Sequence, residues 1–342
     1  MSASELVLGI ETSCDETAVA VVRGGRVPLS SVVRSQVLDH AAWGGVVPEI
    51  AGRGHLEAIV PAVEEALALA GCPPPSLAAI AVTTQPGLLG SLLIGATAAK
   101  ALAWAWNKPL VAVDHVQAHV YAALMPLPEW EFPYVALVVS GGHSSLYRVD
   151  GPLSLTRVGS TRDDAAGEAF DKAAALLGLD YPGGPSIQRA AAAGNPQAFP
   201  FKLPLLDAQS LDFSFSGLKT ALLYTLVGPG GRRDEPWRIP RASLPDLCAS
   251  YEHAIAETLA IKTVRAAQQL GVPRLLVGGG VACNLRLRAR LGVLAAREGM
   301  EAHFAPPDYC TDNAVMIAGL GHARWLAGAR ATLDVDVAAR VE

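Results

Sequence analysis

Two widely separated stretches of this chain follow one plan, and that repetition constrains the fold more than any other feature. In the first, the apolar run Leu6-Val7-Leu8-Gly9-Ile10 gives way to the polar Glu11-Thr12-Ser13-Cys14-Asp15-Glu16-Thr17, and Ala18 to Val22 is apolar again. In the second, Tyr134 to Val139 is apolar, Ser140-Gly141-Gly142-His143-Ser144 is a glycine turn, and Ser145 to Val149 resumes. A short apolar run bounded by turn residues reads as a strand, so each stretch is strand, polar loop, strand. After the first, helix and strand alternate until Pro-rich Met125-Pro126-Leu127-Pro128, which reads as a linker, and then the pattern restarts. A supersecondary unit that occurs twice predicts an internally duplicated α/β chain. Two such loops, facing each other across a cleft, would grip the two sides of one phosphorylated ligand.

The elements between the loops follow from periodicity. Leu56, Ile59, Val60, Val63 and Leu67 recur at the helical spacing and predict a helix over 55–70, ended by Gly71-Cys72-Pro73-Pro74-Pro75. Residues 78–82 read as a buried strand running into Thr83-Thr84-Gln85-Pro86-Gly87, with a Gly/Ala-rich helix over 88–105 and a strand over 110–113 behind it. Further on, helices are predicted to open at Thr161–Lys172, over 243–270 and over 314–325, and a strand at 273–277. Arg286, Arg288 and Arg290 fall at every second residue, so on a helix they spread around it and read as solvated surface.

Length and composition bound the rest. At 342 residues the chain has room for about two domains of ~150 residues. Half of it is apolar and 17% is charged, which excludes wholesale disorder. No apolar run reaches ~18 residues without interruption, so no membrane span is expected, and Met1–Glu5 has no basic leader. Five scattered cysteines without a Cys-x-x-Cys pair fit a reduced, cytoplasmic chain. A net charge of −5 argues against autonomous, tight nucleic-acid binding, though not against a local basic patch.

Chemistry concentrates at a few places. His115 and His119 are four residues apart at the start of an Ala-rich helical segment; on one helix face their side chains start ~5–6 Å apart, close enough to share a divalent metal. Two surface or capping histidines would show the same spacing. A third ligand must come from a distant segment, and Asp312 in Cys310-Thr311-Asp312-Asn313 is the residue expected. Glu11, Asp15 and Glu16 crowd the first loop beyond what a turn needs. In the second, Gly141 and Gly142 would let backbone N–H groups approach a phosphate. Asp163 and Asp164 suit a helix N-terminus, whereas Asp171, beside Tyr181-Pro182-Gly183-Gly184-Pro185, suits a ribose hydroxyl. Gly278 to Asn284, a glycine turn between a strand and a helix, fits a nucleotide site.

At these residues the chain resembles a known family. Gly9 to Thr17, Gly44 to Glu49, His115-x-x-x-His119, Ser140 to His143, Asp163 to Lys172, Tyr181 to Pro185, Asp212 to Thr220, Gly279 to Asn284 and Cys310 to Asn313 are together similar to the tRNA threonylcarbamoyl-transferase family, called TsaD in bacteria and formerly Gcp or YgjD. The resemblance implies an actin-like fold of the sugar-kinase/Hsp70 type (ribonuclease H-like halves, the ASKHA class), with duplicated domains around a nucleotide cleft. It places the domains at 1–128 and 129–325, with the tail 326–342 packing back on the first. It implies transfer of a threonylcarbamoyl group from threonylcarbamoyl-AMP to N6 of the adenosine 3′ of the anticodon, in tRNAs reading codons that begin with A.

Carried over by residue, His115, His119 and Asp312 would hold one divalent ion per subunit, iron(II) or zinc. Val138, Val139, Ser140, Gly141, Gly142, Asp171, Gly184 and Asn284 would hold the adenylate, or ATP or AMP. Glu11 or Asp15 would take the proton of the attacking amine. The implied partners are tRNA, a paralogous TsaB-type subunit, a small TsaE-type ATPase and a TsaC-type synthase that supplies the adenylate, with a homodimer as the alternative state of the isolated chain. There are departures: Thr84-Gln85-Pro86-Gly87 stands where the family has Ala-Gly-Pro-Gly, Ala51-Gly52-Arg53 where it has Ala-Ser-Arg, and Val138 where archaeal and eukaryotic relatives have Tyr. A small-molecule kinase of the same fold is the main rival. A metalloprotease is a weaker one, because Val116 stands where a zincin has its catalytic Glu. An ATP-gated scaffold is a third.

Overall fold

The computed structural model describes residues 5–204 and 209–340. Met1–Ser4, on which the reading of the leader rests, lie outside them. Among the described residues there are two five-stranded sheets. The first contains β1 (Leu6–Glu11), β2 (Glu16–Arg23), β3 (Val27–Ser35), β4 (Leu77–Gln85) and β5 (Leu110–Asp114), in the order β3-β2-β1-β4-β5. Here β1 is antiparallel to β2 and β2 to β3, while β1–β4 and β4–β5 are parallel. The second contains β6 (Tyr134–Val139), β7 (Ser144–Gly151), β8 (Ser154–Ser160), β9 (Arg274–Gly278) and β10 (Glu301–Phe304), in the order β10-β9-β6-β7-β8. The β6–β7 pair is antiparallel, and β6–β9 and β9–β10 are parallel. Read from its other edge, the second sheet repeats the first, with β6 in the place of β1.

Residue contacts divide the chain into two compact units. One comprises residues 1–130, 151–154 and 305–342; the other comprises 131–150 and 155–304. The expected boundary at 325/326 therefore falls at 304/305 instead. The reason is local: the helix Ala314–Leu326 packs on β1, β2, β4 and β5, and so belongs with the first sheet.

Alternation along β1 explains how both faces of that sheet are used. Leu8 and Ile10 point one way and join Val19, Val21, Ile80 and Val82 against Ile59 and Val63 of helix Pro48–Ala70 and Ala99 and Ala103 of helix Leu89–Ala105. Each fully buried Leu or Ile there contributes about 1.5–3 kcal/mol. Val7, Gly9 and Glu11 point the other way. A Cβ on Gly9 would run into the backbone of Ala314 and Ala318, so the missing side chain is what lets helix Ala314–Leu326 lie against the strand. Two residues beyond Gly9 on the same face, Glu11 is therefore carried underneath this helix, fully buried.

The strands that periodicity did not reveal are β3, β8 and β10. All three have a partly exposed burial pattern, and such strands lack the continuous apolar run that marks a buried one. Helix Pro48–Ala70 also begins earlier than its apolar period shows, at a proline in the first turn.

Candidate functional site

In the first unit, β5 ends at Asp114, which caps the helix His115–Leu124; its Oδ1 accepts the Gln117 N–H at 2.9 Å. Because that helix starts at His115 itself, His115 and His119 lie one turn apart, with ring centroids 4.7 Å apart and planes at 82°. The cap is braced from β4: Gln85, one of the departures noted above, donates from Nε2 to Asp114 Oδ2 at 3.3 Å. Asn313 caps helix Ala314–Leu326 by accepting the Met316 N–H at 3.0 Å, and Asp312 stands just before this cap. Its Oδ1 lies 3.4 Å from His115 Nε2 and 3.2 Å from His119 Nε2. One ligand atom from each of the three lies within 4.8 Å of the others, a grouping that could hold a metal ion.

The chemistry of this donor set fits a metal. His119 is fully buried; its Nε2 meets only Asp312, at 3.2 Å, and its Nδ1 has no hydrogen-bond partner among the described residues, an arrangement that costs about 1–3 kcal/mol for the orphaned group unless something fills it. Burial lowers the His119 pKa, overcoming the opposite pull of Asp312, so the ring is neutral and its lone pair available. His115 behaves differently. Burial opposes its charge, but the carboxylates of Asp312 and Glu11 raise its pKa to about 9. Without an ion His115 is thus a cation between two carboxylates, and an incoming ion would take the place of its proton.

Glu11 is not placed as a proton acceptor. Its Oε2 accepts the Thr83 hydroxyl at 2.7 Å and faces His115 Nδ1 at 2.9 Å, while Oε1 accepts the Ser13 N–H. Burial would raise its pKa, yet the charge of His115 and these hydrogen bonds bring it below the usual carboxylate value. With both oxygens engaged and water excluded, Glu11 grips the ring nitrogen of His115 that does not face Asp312. That is the arrangement of an outer partner fixing a metal-binding histidine. Its role was hidden in sequence, because only the close approach at Gly9 shows which face of β1 is buried by the last helix. Asp15 is 6% exposed in the same loop. Glu16 is pushed up to about 9 by burial first and then by Asp312 and Asp15, so it is a protonated acid at neutral pH. His55 was missed altogether: it binds Thr17 Oγ1 at 2.7 Å through Nδ1 and the Cys14 carbonyl at 2.9 Å through Nε2, tying down the loop.

In the second unit, the loop after β6 closes through Ser140 N–H to the His143 carbonyl at 2.8 Å and His143 N–H to Ser140 Oγ at 3.1 Å. Gly141 and Gly142 are exposed, and a Cβ on either would meet nothing. Val138 and Val139, expected to touch substrate, are wholly buried in β6, with Val138 paired to Ser145 and Gly278. Their side chains belong to the core, which leaves only their backbone to face a ligand. Gly279, at φ +92°, packs so tightly on Val139 that no side chain fits, bringing the second glycine turn against the end of β6.

Asp171 Oδ1 accepts the Gly183 N–H at 2.7 Å, which fixes the turn that carries Gly184. Asn284 is also committed: its Oδ1 caps helix Leu285–Arg297 through Leu287 N–H, and its Nδ2 donates to Glu252 at 2.7 Å. Asp163 does not serve the helix that follows it, which starts at Ala166. Its carboxylate instead accepts the N–H groups of Phe215 and Ser216 and both serine hydroxyls at 214 and 216, capping helix Ser216–Val227. The three arginines of helix Leu285–Arg297 are not free surface either. Arg286 pairs with Glu252 at 2.9 Å, Arg290 with Glu257 at 2.5 Å, and Arg288 donates to the Ala282 carbonyl beside the Phe304 ring.

Solved structures support the architecture. The chain is similar to HypF of T. kodakarensis (TM-score 0.62, 16% identity, 95% of this chain and 48% of that one) and to the ROK hexokinase of Thermus thermophilus (TM-score 0.52, 16% identity, 95% and 100%). At such identity these likenesses show the fold alone, the actin-like α/β class to which such kinases and ATPases belong. Sequence similarity goes further. A relative in Anaeromyxobacter dehalogenans is 52% identical over 332 residues, 96% of this chain and 97% of that protein. One in Geobacter sulfurreducens is 52% identical over 332 residues, 97% and 95%. Both are named tRNA N6-adenosine threonylcarbamoyltransferase, the description of the family model that matches residues 28–319. With His115, His119 and Asp312 converging inside the matched span, the chain belongs to the tRNA N6-adenosine threonylcarbamoyltransferase family.

Proposed function

We propose that this chain transfers the threonylcarbamoyl group of threonylcarbamoyl-AMP to N6 of the adenosine just 3′ of the anticodon, in tRNAs reading codons that begin with A, and releases AMP. The observation that supports this best is the buried convergence of His115, His119 and Asp312 in a chain of this family. The three are ligands for one divalent ion, iron(II) or zinc, both of which suit imidazole and carboxylate. Such an ion, when bound, supplies Lewis-acid polarisation of an oxygen ligand and neutralises charge.

The chain's own residues supply the rest. Glu11 holds the His115 ring in one orientation through Nδ1. The exposed backbone of Gly141 and Gly142 offers N–H groups to the phosphate, with Val138, Val139 and Ser140 setting the loop that carries them. Asp171, Gly184 and Asn284 shape the rest of the adenylate site through the turns they fix. The substrate is a mixed anhydride, so the N6 nitrogen attacks the carbamoyl carbon while the bond to the phosphate oxygen breaks, and AMP departs with the electron pair. No covalent enzyme intermediate is needed. Of the two candidate acids in the first loop, Asp15 is the proton acceptor, since Glu11 is saturated with donors.

The reaction places the chain in the cytoplasm beside a TsaC-type synthase that supplies the adenylate. A TsaB-type subunit and a TsaE-type ATPase are its partners, and a homodimer is the alternative state of the isolated chain. Among the described residues no helix is long and apolar enough to cross a membrane. The test is single-turnover transfer of labelled threonylcarbamoyl from the adenylate to unmodified tRNA with those partners present, wild type beside His115→Ala. Transfer that is lost in the variant supports both the reaction and the metal's part in it. Transfer by both would demote the histidines to structure, and transfer by neither would reopen the kinase reading.

A further inference from the structure

An acidic chain that acts on tRNA must meet a polyanion somewhere, and several of its cations are paired with carboxylates. Arg34 pairs with Glu65, Arg148 with Asp150, Arg162 with Asp212, Arg274 with Glu131, Arg286 with Glu252 and Arg290 with Glu257. The segment between helix Ser216–Val227 and helix Leu244–Leu270 concentrates four further arginines within ten residues. It reads Pro229-Gly230-Gly231-Arg232-Arg233-Asp234-Glu235-Pro236-Trp237-Arg238-Ile239-Pro240-Arg241. All four arginines are exposed, and none of them forms an ion pair among the described residues. Of its two acids, Glu235 is turned back to accept the Arg232 N–H at 2.9 Å.

The segment is held in shape. Arg238 N–H donates to the Leu226 carbonyl at 2.6 Å and Gly231 N–H to the Gly228 carbonyl at 3.1 Å. Arg233 reaches the Ala175 carbonyl at 2.7 Å. Three prolines limit the remaining backbone freedom. The Arg241 guanidinium carbon sits over the Trp237 ring, 3.6 Å from its centroid, a contact that holds the cation at the surface without neutralising it. Ala175 sits on helix Ala166–Leu177, whose Gly167 N–H binds the Ser140 carbonyl at 3.2 Å. Along that helix the Arg233 anchor at Ala175 is roughly 12 Å from Gly167, which meets the glycine loop, at ~1.5 Å per residue.

We propose that the Pro229–Arg241 segment is the surface on which this chain takes the sugar–phosphate backbone of its RNA substrate. Guanidinium forks match phosphate oxygens two at a time, and such contacts position a nucleic acid without reading its sequence. The assignment rests on the proposed tRNA reaction. Each phosphate neutralised releases counterions, so affinity contributed by these arginines falls as salt rises, by close to one unit of log–log slope per contact.

The experiment measures anisotropy of a labelled, unmodified tRNA transcript over a series of KCl concentrations, using the full chain with its partner subunits. Wild type is compared with the double variant Arg232→Gln/Arg238→Gln and with a variant carrying Lys at all four positions. The double variant should bind about 10-fold more weakly with a slope shallower by about two, whereas the Lys variant keeps the slope because it keeps the charge. Thermal melting of both variants at the wild-type temperature separates this from misfolding. An unchanged slope in the folded double variant overturns the proposal, as does loss of binding to anionic vesicles or to a partner subunit in place of tRNA. Wild type that transfers normally beside an unaffected variant sinks only this surface; wild type that neither binds tRNA nor transfers sinks the reaction itself.

Discussion

The two loops that follow β1 and β6 occupy equivalent places in two sheets of the same topology, yet they have become opposites. The first is closed. Glu11, Thr12, Ser13 and Asp15 are buried, and the carboxylate of Glu11 is saturated by Ser13, Thr83 and His115. The second is open. Its glycines are exposed, and a Cβ on Gly141 or Gly142 would meet none of the described residues. The duplicated scaffold thus offers two solutions to the same topological position, one in which side chains fix another side chain and one in which bare backbone is left for a ligand. The difference follows from what packs beside each loop. Gly9 admits helix Ala314–Leu326 onto β1, which buries the acid two residues on, while Gly279 draws a glycine turn against the end of β6 and Gly167 seats the start of a helix on Ser140 and Gly141, leaving the outer side of the loop bare.

The largest effect should come from emptying the closed side. His119→Ala removes one of three convergent donors, so metal binding measured by competition with a chromophoric chelator should vanish. Wild type with the ion at 100 times its Kd gains about 2.7 kcal/mol of stability, and the variant should gain none. Because His119 Nδ1 is buried without a partner and Nε2 meets only Asp312, the metal-free variant should melt close to metal-free wild type. A variant that keeps the metal-induced rise would remove His119 from the site.

Alanine at two glycines tests the contrast itself. Gly9→Ala forces a methyl into the backbone of the last helix and should destabilise the chain by about 1–3 kcal/mol. Gly142→Ala meets open space, so its melting temperature should stay at the wild-type value while adenylate affinity, read by calorimetry, falls. If Gly142→Ala instead loses stability and keeps its affinity, the second loop is structural and the comparison collapses.

Glu11→Gln sharpens the reading of the closed loop. It keeps the shape and one acceptor but loses the charge, and an outer partner of this kind is worth about 10–100-fold in metal affinity. Glu11→Ala should cost more, and a Co(II)-substituted variant should show a shifted visible spectrum as the His115 ring loosens. Identical metal affinity in wild type and both variants would leave Glu11 as a packing residue.

The sequence disclosed much of this, unevenly. The repeated strand–loop–strand was plain because β1, β2 and β6 are buried on both faces and therefore continuously apolar. The partly exposed strands β3, β8 and β10 gave no such signal. In the site, the spacing of His115 and His119 was readable because helical geometry is local. The role of Glu11 and the pairing of Arg286 and Arg290 were not, since they depend on partners brought from elsewhere: His115 for the first, Glu252 and Glu257 on the preceding long helix for the others. Asp163 was misassigned for the same reason, its cap being given to a helix some fifty positions on.

The smallest effect concerns Gln85. Its side chain braces Asp114, which caps the histidine helix. At 3.3 Å and half-buried, the bond is a weak one, and Gln85→Ala should lower stability by no more than about 1 kcal/mol. Asp114 would keep its bond to Gln117 N–H, so the helix should still begin at His115 and metal affinity should change by less than the 10-fold that marks an outer partner. A loss as large as that of Glu11→Gln would mean that the loop after β4 sets the orientation of the histidines. Part of the control of the site would then lie outside the first loop, in the turn that follows β4.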